Sequence, residues 1–387
     1  MLADTDAGSV ITAAQSGAQW GFALLLPQFE LIPLLFMAQE LAARLGLGTG
    51  LGLAGLVLRR HGRIAAWLLL LTLLASCFGA LLTELSGLAG VAEALGLPVR
   101  PLLAAAVAAV LAVVWTGSYR SVERVALAFG AFELAFLALA WRAHPNPAQL
   151  VAEATRLPLG DRGYLYLLAA NLGTCVMPWT VFYQQSASID KGLARSDLRA
   201  ARLETLLGAV LCQGITAAIV VAAGARLRDT PAGRSLATVG QIAEAFTASL
   251  GTTAGRLVFV LGLGGGALVA TLVVCLTTGW AVGEVMGRRH ALQAGPLAAP
   301  WFYGALTASL LAAGATVASG VDLVRLSIAA GVLNAVLLPI VLATVFILAR
   351  TALPAELRLG GGYAGAVAVV FGLAAACGLG AGLFGAL

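Results

Sequence analysis

Long apolar runs dominate the chain, separated by short stretches of Gly, Pro, Arg and acidic residues. A helix needs about 20 apolar residues to cross a hydrocarbon core. On that criterion the pattern predicts about eleven spans. They fall near residues 9–26, 28–46, 64–88, 101–117, 122–141, 163–187, 203–225, 256–286, 299–319, 323–349 and 362–386. Residues 229–252 are only mildly apolar and contain Thr230-Pro231 and Gly233, so they read as a loop with a short surface helix. The runs are continuous and do not alternate at period two, which excludes a membrane β-barrel. The fold class is therefore an all-α polytopic membrane protein, a single transmembrane domain over residues 1–387.

Composition sharpens this picture by exclusion. Of the 387 residues, 60% are apolar and 11% are charged, and the mean hydropathy is +0.95. A soluble domain carries about a quarter charged residues, so too few are present to wet a soluble surface. The net charge of +5 is spread through short loops, which argues against a nucleic-acid partner. Cys77, Cys175, Cys212, Cys275 and Cys377 all lie in apolar runs without a CxxC, so neither a disulfide framework nor a zinc site is indicated. No secretory signal peptide is visible in the polar start Ala3-Asp4-Thr5-Asp6.

Lys and Arg set the expected orientation. With the N-terminus in the cytoplasm, Arg59, Arg60, Arg63, Arg120, Arg124, Lys191, Arg195, Arg199, Arg202, Arg288, Arg289, Arg350 and Arg358 face inside. An odd number of spans then places the C-terminus outside, and the expected location is a bacterial inner (plasma) membrane. No nucleophile–base pair, metal triad or cofactor motif suggests an enzyme or a resident cofactor. Gly264-Gly265-Gly266 lacks the Lys-Ser/Thr of a P-loop and reads as helix packing or a bend.

Two spans carry helix breakers beside polar groups. The first opens with Asp6-Ala7-Gly8-Ser9, and the sixth contains Gly173-Thr174-Cys175-Val176-Met177-Pro178-Trp179. Proline removes a backbone donor, and in lipid the freed carbonyl must line a cavity or bind something. Breaks five spans apart fit an inverted five-plus-five repeat, about 1–142 and 163–349, with an extra helix at 362–386. The chemistry at the breaks is a carboxylate (Asp6), a hydroxyl (Ser9), carbonyls near Thr174 and a thioether (Met177). Hard oxygens with one sulfur suit Mn²⁺ or Fe²⁺. Elsewhere, Glu84 is an acid inside an apolar span and a candidate for the ion path. Asn334 and Gln185 either line that path or make packing hydrogen bonds, and Glu40 with Arg44 reads as a structural i,i+4 pair. Glu284 reads as a structural group near Arg288 and Arg289, and Glu30 and Glu133 carry no assigned role.

These motifs resemble the NRAMP family of divalent-metal transporters. Asp6-Ala7-Gly8-Ser9 stands in the place of the family's D-P-G-N, and Ala14–Gly21 is similar to its Q-A-G-A-Q-F-G-Y. Gln39–Gly46 with Thr49-Gly50 resembles L-S-A-K-L-G-x-x-T-G, and Gly173–Trp179 resembles G-A-T-V-M-P-H. The resemblance implies a LeuT-type fold with alternating access and a metal held by Asp6, Ser9, the Thr174 carbonyl and Met177. The implied protein is a monomer in the lipid bilayer whose only partner is a transiently bound divalent cation.

Departures from the family pattern modify that expectation. Ser9 replaces Asn with a shorter reach, and Ala7 replaces Pro. Trp179 and Gln184 stand where the family has His, and Leu81 replaces the Asp of an Asp-x-x-Glu pair that leaves Glu84. Trp and Gln do not titrate, so weak or absent proton coupling is expected. Lost coupling resembles the NRAMP-related magnesium transporters, whereas the retained Met177 favours Mn²⁺. Mg²⁺ and a small organic solute of the LeuT type stand as alternatives. Only five residues precede Asp6, short of a half-helix, so either the start is truncated or that half-helix is missing.

Overall fold

The computed structural model describes residues 4–116, 130–228, 239–243, 252–288 and 292–386. Among these residues the chain is helical, and eight stretches are long and apolar enough to cross a membrane. The helices are α1 (Ala7–Trp20), α2 (Leu25–Thr49), α3 (Leu53–Leu95), α4 (Val99–Trp115) and α5 (Ala135–Arg142). They continue with α6 (Pro147–Ala154), α7 (Arg162–Cys175), α8 (Pro178–Asp190) and α9 (Leu198–Arg226). The last four are α10 (Thr252–Met286), α11 (Pro300–Ala318), α12 (Leu323–Thr351) and α13 (Gly361–Ala386). The first part of the expected fifth span, residues 122–129 with Arg124, lies outside the described residues, as do Arg120, Arg289, His290 and most of the 229–252 loop.

Each expected span from the sixth onward coincides with one helix or, for the sixth, with the broken pair α7 and α8. The first span differs. Its apolar pattern continues to residue 26, but α1 stops at Trp20 because Gly21 turns to φ +60° and returns its N–H to Gly17 O. Periodicity cannot see this turn, since Phe22–Leu26 are as apolar as the helix before them. The third span also starts earlier than expected. Helix α3 runs from Leu53, with a break at Gly62 (φ +82°) on the way into the apolar run.

Local chemistry places the remaining ends. Asp161 caps α7 by accepting from the N–H groups of Gly163 and Tyr164, and Asp322 caps α12 through Arg325 N–H. The Glu40–Arg44 pair forms at 2.5 Å, and Glu40 also reaches Arg202 of α9 and Tyr363 of α13. Glu284 accepts from the N–H of Gly55 at 2.9 Å and so ties α10 to the start of α3. Gly264 and Gly266 lie within α10 and pack against Val91 and against Thr5 and Glu133, in keeping with the helix-packing reading.

At the loop end of α9, Glu153 pairs with Arg228 and accepts from Phe22 N–H at 3.3 Å. Burial raises its pKa, but hydrogen bonds from Arg228, Gln149 and Phe22 outweigh that and hold the carboxyl below its usual range.

Apolar side chains point outward along α3 (Trp67, Leu68, Leu71), α9 (Leu203, Leu207, Val210) and α13 (Val369, Leu373, Phe384). Water would penalise so continuous an apolar exterior, whereas lipid does not. Inside, α1 packs mainly on α9, α7 on α12 and α13, and α8 on α2, α3 and α10. Backbones touch where α7 meets α12. A Cβ on Gly173 would lie 1.9 Å from Gly331 O and 2.6 Å from Ala335 N. Gly173→Ala should therefore destabilise the fold by about 1–3 kcal/mol. Thermal unfolding in detergent should show a clear drop in midpoint, while Gly380→Ala, with open space around it, should leave the midpoint unchanged.

Candidate metal site

An α-helix joins each carbonyl to the N–H four residues on. For Thr174 that partner is Pro178, which has no N–H. Helix α7 therefore ends at Cys175, Val176 and Met177 turn extended, and α8 restarts on Pro178 as its first residue. The Thr174 hydroxyl turns back to Asn171 O, so the residue presents its carbonyl.

The other half comes from the start of α1. Asp6 is extended (φ −85°, ψ 178°) and caps the helix, accepting from Ser9 N–H at 2.7 Å. The Ser9 hydroxyl lies 2.8 Å from Asp6 Oδ1, 3.1 Å from Asp4 O and 3.2 Å from Thr174 O. It has one proton and serves one of these acceptors at a time. The remaining oxygens converge with no hydrogen between them. Asp6, Ser9 and Thr174 are all buried. Electron-rich oxygens so gathered invite a cation.

Two more acids face this centre. Glu84 Oε2 accepts from Ala7 N–H at 3.2 Å, its carboxyl adjoins that of Asp6, and its Oε1 has no hydrogen-bond partner. Glu133 is buried with Oε2 likewise unpartnered, and its Oε1 shares the space over Gly266 with Thr5 O. Among the described residues no three His, Cys, Asp or Glu are grouped to hold a metal. A site here would instead combine one carboxylate, a hydroxyl, carbonyls and a thioether.

Met177 stands at the N-cap of α8, three residues after Thr174, and is buried, and its Sδ accepts from Trp179 Nε1–H at 3.1 Å. Its carbonyl takes the Thr180 hydroxyl, which is held in turn by Gln39 of α2. Gln184 is half-buried on α8 about 10 Å along the axis from Met177, away from the oxygen cluster. Asn334 accepts from Ser76 at 2.7 Å, an α3–α12 link, and Gln185 donates to Leu51 O. Both are engaged in packing hydrogen bonds.

Three contributors escaped sequence reasoning. Asp4 supplies a carbonyl, and its only signal was an acid two residues before Asp6. Glu133 was visible only as an acid in an apolar run. Asn171 carried the clearest signal, an amide one turn before the break in the sixth span. It donates to Ser16 Oγ and Leu167 O and accepts from Gln28, joining α1, α2 and α7.

The Nramp profile, described as natural resistance-associated macrophage protein-like, matches residues 1–382. The chain belongs to the Nramp family. Among curated relatives, the divalent metal cation transporter MntH of Burkholderia ambifaria is 27% identical over 361 residues, covering 89% of this chain and 77% of that protein. The MntH of Chromohalobacter salexigens is 26% identical over 252 residues, 59% of this chain and 56% of that protein. Both are named as transporters and not as enzymes. The solved manganese transporter of Eremococcus coleocola superimposes with a TM-score of 0.75 at 15% identity, over 97% of this chain and 83% of that one. The Nramp chain is thus an integral membrane protein with the LeuT-type fold.

Asp6 has two separable roles in this Nramp chain, cap and charge. Asn caps as well as Asp, and Ala does not. Asp6→Asn should keep the wild-type unfolding midpoint. Asp6→Ala should lower it by the equivalent of about 1 kcal/mol, measured on the metal-free protein.

Proposed function

We propose that this Nramp chain moves divalent transition-metal ions across the membrane by alternating access, with Mn²⁺ as preferred cargo and Fe²⁺ as a further one. The observation that carries the reading is the convergence of Asp6 Oδ1, Ser9 Oγ and Thr174 O at the two helix breaks, with Met177 three residues after Thr174 in the second break. The oxygens supply charge and hard donors, and the thioether favours a transition ion over Mg²⁺ or Ca²⁺. The names of the relatives, divalent metal cation and manganese transporters, agree with it. In this reading the inverted repeats are about 1–142 and 163–349, with α13 outside them. The N-terminus lies in the cytoplasm, and the unit is a monomer.

Mg²⁺ is the second reading, favoured by one contact. The Trp179 indole N–H already engages the Met177 sulfur, which shifts the weight of the donor set to the oxygens. An organic substrate with a carboxylate is disfavoured. The N–H groups at the start of α1 that would receive it are taken by the carboxylates of Asp6 (through Ser9 N) and Glu84 (through Ala7 N).

Calorimetry on the purified full chain tests the site. Asp6→Ala and Asp6→Asn should both abolish Mn²⁺ binding, and a retained isotherm in both variants sinks the reading. Met177→Ala should bring Mn²⁺ affinity within about tenfold of Mg²⁺ and Ca²⁺. Unchanged selectivity would show that the sulfur is not a ligand. Uptake into proteoliposomes, compared for Mn²⁺, Mg²⁺ and Ca²⁺, separates the two cargo readings.

Proton coupling should be weak or absent, because Trp179, Gln184 and Leu81 occupy positions where titrating groups stand in the family pattern. A pH-sensitive dye inside proteoliposomes should show little metal-driven acidification. Acidification in step with uptake contradicts this.

A further inference from the structure

We propose that Trp179 sets the softness of the metal site by engaging the Met177 thioether with its indole N–H, an inference that rests on the metal-transport reading above. The two residues flank Pro178, and both are buried. The N–H donates to Sδ at 3.1 Å. A thioether is a weak acceptor, and the lone pair given to the N–H is withdrawn from any metal approaching on that side. The donor also polarises the sulfur and makes it a poorer ligand for soft ions.

The competition is asymmetric. A soft ion such as Cd²⁺ gains by drawing the sulfur away from Trp179, but that move strands a buried N–H without an acceptor, which is costly. An oxygen-preferring ion binds at Asp6, Ser9 and the carbonyls and leaves the N–H···S contact in place. Trp179 therefore biases the site from Cd²⁺ toward Mn²⁺ and Mg²⁺ without touching the ion. It is a specificity-positioning residue acting through Met177. The adjacent contacts that fix the Met177 backbone, from Thr180 and through it Gln39, do not reach the sulfur, so the indole alone among these groups acts on Sδ.

The test is calorimetry of the full-length protein in detergent with CdCl₂, MnCl₂ and MgCl₂. Trp179→Phe keeps an aromatic ring and removes the donor. It should raise the Cd²⁺-over-Mg²⁺ affinity ratio about tenfold, the size expected for relieving a stranded buried donor. In a Met177→Ala background the same substitution should leave the ratio unchanged. Benzothienylalanine at position 179 preserves the shape of the indole and lacks only the N–H. It should give the same rise, and it serves if Trp179→Phe does not fold. A ratio that stays constant or falls on loss of the N–H, or a rise that persists without Met177, overturns the proposal while leaving the transport reading intact. A wild-type protein that binds none of the three ions overturns both.

Discussion

Everything at the centre of this protein depends on a carbonyl that its own helix cannot satisfy. Pro178 denies Thr174 O its hydrogen bond, and lipid offers no replacement. The orphan is acceptable only because the start of α1 lies opposite, with Ser9 Oγ at 3.2 Å. That start is itself irregular for a related reason. A helix beginning inside the bundle exposes unpaired N–H groups, and carboxylates answer them: Asp6 at Ser9, Glu84 at Ala7. Two broken helices thus compensate each other, one through surplus acceptors and the other through surplus donors. The acids that cap the donors would also supply the negative charge of the proposed cation site.

The small residues around the breaks are part of the same arrangement. Gly173 lets α7 approach the backbone of α12 at Gly331, so the Thr174 carbonyl is held by rigid packing and not by a loop. Gly8 does the same for α1, since a Cβ there would meet Thr83 Cγ2 at 2.8 Å and Asp6 Oδ1 at 3.3 Å. Close packing in lipid favours such residues because dispersion replaces the hydrophobic drive that water would supply. The abundance of glycine in the chain therefore serves positioning as well as association.

Much of this was legible in the residues. The spans followed from apolar run length, and the break in the sixth followed from proline chemistry at a single position, which is why it falls within the expected stretch Gly173–Trp179. Asp6, Ser9 and Thr174 could be singled out because polar groups beside helix breakers are costly in lipid. The end of α1 was not legible, since Gly21 is one of many glycines and only its φ distinguishes it. Glu133 was not legible as a neighbour of Asp6, because its proximity arises from packing between elements more than a hundred residues apart, and nothing in the sequence marked the Asp4 carbonyl, as opposed to its side chain, as the group that faces Ser9. Gln184 and Asn334 show the converse. Their residue type suggested a path, but Asn334 spends its oxygen on Ser76, and Gln184 lies two turns beyond the break.

The two halves of the broken sixth span answer to different neighbours. Helix α7 is tied through Asn171 to Ser16 and Gln28 and lies along α12 and α13. Helix α8 is tied through Thr180 to Gln39, through Gln185 to Leu51, and through Ser186 to Glu284 on α10. Both halves are regular helix, and only Val176 and Met177 between them are extended. Any swing of one group of helices against the other must therefore be taken up by four backbone torsions. Met177 is one of those two residues, so the position of its sulfur relative to the Thr174 carbonyl depends on the angle between the two halves.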